Sequence, residues 1–101
     1  MKMLLNVLFP LEPFNALVRS GKIGTVMQRT LDDLKPEAVY FTEQGGERSA
    51  ILIIEIGNPS EVPKFAEPFF LNFNAKCQLR IVMSPDDLKK AGLEALGKKW
   101  A

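Results

Sequence analysis

Four polar side chains, Asn6, Tyr40, Glu55 and Arg80, sit in apolar, alternating runs where they can meet a small molecule. Arg80 offers a guanidinium fork that grips a carboxylate through two parallel hydrogen bonds. Asn6 offers one donor group and one acceptor for orientation, and the Tyr40 phenol would wall a pocket. Glu55 or Tyr40 is the group that would move a proton. Such a set suits a small carboxylated or aromatic ligand, held or turned over without a cofactor. The same groups would equally serve a subunit interface in which polar side chains pair across the contact. The two uses are compatible.

Composition removes most other chemistry. The chain has 101 residues, 13 Lys+Arg against 12 Asp+Glu, no histidine and one cysteine, Cys77. Without imidazole there is no Ser-His-Asp or Cys-His catalysis, and one cysteine makes no Cys/His metal cluster. No metal or cofactor is implied. A net charge of +1 leaves no electrostatic footprint for nucleic acid. The length fits one domain, residues 1–101. No run approaches the ~20 apolar residues that span a bilayer. The N-terminal Met1–Pro10 segment is interrupted by Asn6 and reads as a buried strand rather than a leader. The lone thiol suits a reducing compartment, so the expected location is cytoplasmic.

Other residues have plainer uses. Glu43 and Arg48 face each other beside a turn, as a cross-strand ion pair or, if the turn folds over a cleft, as an acid tuned by its neighbour. Phe65, Phe69, Phe70 and Phe73 form a stripe that reads as core, or as the wall of an aromatic pocket. Cys77 alternates with Leu79 and Ile81, as a small buried hydrophobe does. Asn72 and Asn74 suit helix termination. Lys89, Lys90, Lys98 and Lys99 form a modest basic patch on a solvated face.

The elements that must position these groups follow from periodicity. Lys2–Phe9 is apolar on both sides except at Asn6, as a central strand is. Phe14–Lys35 is helical, with a bend or break expected at Gly21 and Gly24. Ala38–Glu43 and Arg48–Ile56 flank Gly45-Gly46, the signature of a hairpin with a two-residue turn. Asn58-Pro59-Ser60-Glu61 starts a helix, which Pro68 should kink or split. Ala75–Met83 is the last strand, and Ser84 caps a helix running towards Trp100.

The order βαββαβ, with right-handed crossovers, predicts an α+β ferredoxin-like fold. Its four antiparallel strands lie in the order 4-1-3-2, with a C-terminal helix. Arg80 and Glu55 then lie on strands flanking that of Asn6, about 10 Å from each other. One sheet face is apolar throughout, from Met3, Leu5, Val7 and Phe9 across to Phe41, Ile81 and Met83, and the helices should cover it. The opposite face carries Leu4, Leu8, Ile51, Ile53 and Val82 among its polar groups, too apolar to stay wet. A second copy is the simplest cover. An RNA-recognition sheet would instead need exposed aromatics, which the third strand lacks.

This element order, the half-apolar face of Leu4, Asn6, Leu8, Ile51 and Ile53, and the trailing Ser84-Pro85-Asp86-Asp87 helix together resemble the dimeric α/β-barrel superfamily. The resemblance covers nearly the whole chain. It implies two sheets packed face to face as a homodimer, with a small-molecule-binding or assembly role. It implies, as an alternative, an isomerase- or monooxygenase-like enzyme without a cofactor. Branches that ligate haem through histidine, or use a His-Asp pair, are excluded by composition.

Overall fold

The computed structural model describes residues 1–101. Strand β1 is Lys2–Phe9, followed by helices α1, Leu11–Arg19, and α2, Ile23–Leu34. The hairpin is β2, Ala38–Gln44, and β3, Glu47–Glu55. A short 3-10 turn, Pro59–Glu61, leads into α3, Val62–Phe73, and then β4, Lys76–Ile81. Two short helices end the chain, α4, Pro85–Lys90, and α5, Leu93–Lys99. The sheet order is β2-β3-β1-β4, antiparallel throughout, which is the ferredoxin-like βαββαβ arrangement.

Local chemistry explains the boundaries. Gly45 and Gly46 take φ of 60° and 84°, the left-handed pair that a twisted two-residue hairpin requires. Asn58 caps the 3-10 turn by accepting from the Ser60 N–H at 3.0 Å, and the Glu61 carboxylate accepts from the Gly57 N–H at 2.9 Å. Asn74 ends α3 in a left-handed conformation, as its residue type allows. At Ser84 a full capping box forms with Asp87.

Three expectations change. The break near Gly21 is real, and of the kink or split expected at Pro68 the split is absent, since α3 runs on through it. The hydrogen bond that proline forfeits is the one to the carbonyl of exposed Lys64, while Phe65, Phe69 and Phe73 anchor the opposite side. The terminal helix is two helices, because Gly92 turns the chain at φ 70°. The helix-covered face is incomplete: Phe41, Ile81 and Met83 are 55%, 63% and 65% exposed, because α1–α3 do not reach the sheet edges.

The core lies between the helices and the middle of the sheet. Leu5, Val7, Leu52 and Phe69 are fully enclosed. Phe9 meets Phe14 and Phe73 edge-on, with centroids 5.1 and 5.2 Å apart. Phe70, on the outer side of the stripe, stays partly in solvent. Replacing Phe69 with alanine is expected to cost about 3–5 kcal/mol, whereas Phe70→Ala should cost under about 1 kcal/mol. Urea unfolding of the two variants measures both.

Candidate site on the free sheet face

The face opposite the helices carries the even positions of β1, β2 and β4 and the odd positions of β3. The strand register sorts its side chains into rows. Gln78, Asn6, Ile51 and Tyr40 form one row, and Arg80, Leu4, Ile53 and Ala38 the next. Glu55 lies opposite Lys2, one row further still. Arg80 and Asn6 are thus diagonal neighbours, within reach of one ligand. Glu55 stands four residues along β1 from the Asn6 row, ~13 Å away. Only Asn6 and Arg80 are brought together: Tyr40 stands on the opposite edge strand, ~16 Å from Arg80, and Glu55 lies at the end of the face.

Their engagements differ as well. Arg80 and Tyr40 are exposed on the two edge strands, and Arg80 makes no ion pair. Glu55 is paired with the Met1 ammonium. Beside it, Lys2 meets Glu37 at 2.9 Å, and that hydrogen bond and charge raise the lysine pKa. Asn6 is buried, at 7% exposure, and exchanges two hydrogen bonds with the Gln44 amide.

The Asn6–Gln44 pair was not visible in the sequence. Gln44 is two strands across and four residues along from Asn6, so in a flat sheet their Cα atoms would be ~17 Å apart. Twist and coiling fold this diagonal inward until the two amides meet. Ser49 occupies the midpoint of the same diagonal, opposite Leu8 and Thr42. The bridging amides explain why it is 2% exposed although it faces away from the helices, and its hydroxyl has no partner.

Glu43 and Arg48 face each other in register but form no ion pair. The Glu43 carboxylate accepts from the Gly46 N–H at 2.9 Å and closes the turn. Arg48 bends towards the helix layer, donating to the Asn15 side chain at 2.7 Å with its guanidinium 4.5 Å from the Phe14 ring. Neither residue borders a cleft. Cys77 is half-buried beneath α3, and burial pushes its thiol up to about 11.

None of Asn6, Tyr40, Glu55 or Arg80 lines either of the two surface pockets. The larger is an open, mixed-charge groove between α2 and α3, bordered by Gln28, Arg29, Asp32, Lys64 and Glu67. No three His, Cys, Asp or Glu side chains cluster as a metal site would need. No helix is long and apolar enough to cross a membrane. No family model matches the chain, and no curated protein matches it.

Two outcomes test this geometry. Gln44→Ala should cost about 1–3 kcal/mol by stranding the buried Asn6 amide, and Asn6→Leu combined with Gln44→Leu should recover part of the loss. A urea double-mutant cycle checks the coupling. For Cys77, a folded pKa of about 11 against the ordinary 9.0 means the neutral thiol stabilises the fold fully below pH 9. That contribution fades as pH rises from 9 towards 11. Alkylation at pH 8 should run about a hundredfold slower than for an exposed thiol.

Proposed function

We propose that the chain is one protomer of a homodimer of the dimeric α/β-barrel type, closed by two free sheet faces, and that it serves as a small-molecule-binding or assembly module. The observation carrying this reading is a face that the chain leaves uncovered. Leu4, Leu8, Ile51, Ile53 and Val82 remain partly exposed there, and no residue of α4 or α5 is buried. An apolar sheet face of this kind is stable in water only when something dry packs on it. A self-complementary sheet is supplied by a second copy under two-fold symmetry.

The binding half of the reading rests on Arg80. It is unpaired, lies diagonal to Asn6 and borders Leu4, so a small carboxylate could be gripped at the rim of the closed faces. A cofactor-free enzyme would need more. Glu55 would have to leave the Met1 ammonium, or Tyr40 alone would have to move the proton. Binding without turnover is therefore the reading favoured here.

Light scattering at micromolar concentration should give twice the 11.3 kDa chain mass. Ile53→Arg, which would bury an unpaired charge in each half of the interface, should weaken association by about a thousandfold or more while leaving the far-UV spectrum unchanged. A monomeric wild-type chain would refute the reading. Small aromatic carboxylates, titrated by NMR, should shift resonances of Arg80 and Asn6. An unchanged spectrum at millimolar ligand would remove the binding role and leave assembly.

A further inference from the structure

The strand register draws one polar line across the otherwise apolar free face. Arg80 on β4 lies opposite Leu4, and Asn6 follows two residues along on β1. Ser49 on β3 lies opposite Leu8, two residues further, and Gln44 on β2 lies opposite Glu47, two further again. Each step crosses one strand and advances two residues, ~8 Å in a flat sheet. The four side chains therefore share a single diagonal from the β4 rim to the β2 rim. It is the diagonal that twist folds inward, since Asn6 and Gln44 meet along it. Leu4 and Ile51 border it on one side and Leu8 on the other.

This line carries hydrogen-bonding capacity that the fold leaves unused. Ser49 is 2% exposed, and its hydroxyl has no partner. A buried hydroxyl in that condition destabilises the fold, and an alanine in its place would carry no such cost. The Asn6 and Gln44 amides exchange one N–H and one carbonyl contact each, so each keeps a second N–H and a second lone pair. Inward of Arg80 no side chain on the line is charged. Arg80 itself makes no ion pair. The line thus presents a free cation at the rim and a neutral donor–acceptor cluster towards the middle of the face.

The Gln44 side chain indicates what that cluster accepts, because its carboxamide is held there by Asn6 above Ser49. Gln44 is also the last residue of β2, beside the hairpin turn, where its side chain has room to swing into solvent.

We propose that Asn6 and Ser49 form the inner half of a ligand site whose outer half is Arg80, and that its ligand is a small carboxylate carrying a carboxamide at its far end. The carboxylate takes the Arg80 fork. The ligand's carboxamide displaces that of Gln44 and pairs with Asn6 in its stead, and the Ser49 hydroxyl gains a partner. The proposal rests on the binding reading above and adds the part of the site that selects the ligand's neutral end.

Benzoate, 4-methylbenzoate and 4-carbamoylbenzoate, titrated into the full chain by NMR, separate the two halves. The carbamoyl compound should bind about tenfold more tightly than the other two and shift the side-chain amide resonances of Asn6 and Gln44. Ser49→Ala should abolish that preference without lowering the urea midpoint of unfolding. Equal affinity for all three acids would overturn the inner subsite and leave the Arg80 contact standing. A preference that survives Ser49→Ala would also overturn it. So would a lowered urea midpoint, which would make the hydroxyl a structural group. Binding of none of the three at millimolar concentration would remove the binding reading itself, and the subsite with it.

Discussion

Strand β1 lies between β3 and β4, so each of its side chains points either into the helix layer or out of the opposite face of the sheet. Its odd positions, Met3, Leu5, Val7 and Phe9, are sealed by α1–α3. Its even positions include Leu4 and Leu8, for which the chain provides no second layer. A strand apolar on both sides is stable only when both are dry. The incomplete helix cover at Phe41 and Ile81 and the uncovered Ile51 and Ile53 both follow from one layer of helices serving a sheet with two apolar faces.

The polar groups on the uncovered face are arranged around that constraint. Asn6 is the one polar residue in the middle of β1, and its amide is satisfied by Gln44 rather than by water. An isolated buried amide would destabilise the sheet, whereas a reciprocal pair keeps the diagonal closed over Ser49. Glu55 is held by the N-terminal ammonium, at the end of the face. Arg80 and Tyr40, on the edge strands, keep their polar ends free. The centre of the face is thus neutral and self-satisfied, and its rim carries the groups available to a ligand or a partner.

The backbone was largely legible because its signals are local. Alternation marked β1 from Lys2 to Phe9, Gly45-Gly46 marked the hairpin and its register, and Asn58 and Ser84 marked helix starts. Strand order followed from connection rules. Side-chain partnerships were less legible, since they depend on how far the sheet coils. Asn6 and Gln44 are 38 residues apart in sequence and off-register in the sheet, so no spacing rule joins them. Arg48 has an acid directly across the hairpin, yet turns to Phe14 and Asn15, because the helix that packs over β3 supplies a ring and an amide together. Pro68 shows the limit of a local rule: three buried phenylalanines outweigh one forfeited hydrogen bond. Of the four candidate residues, the shared sheet face was readable and the rows were not. Glu55 shares the face with Asn6 but stands two rows from it.

The central claim is that the free sheet face is dry in solution, and methyl NMR with a soluble paramagnetic agent tests it most directly. In the isolated chain the Leu4, Ile51 and Ile53 methyls meet solvent, while those of Leu5 and Leu52 do not. A dimer closed on this face predicts that all five relax alike, as core methyls do. If Leu4, Ile51 and Ile53 relax as solvent-exposed methyls at high protein concentration, the face is wet and the account fails.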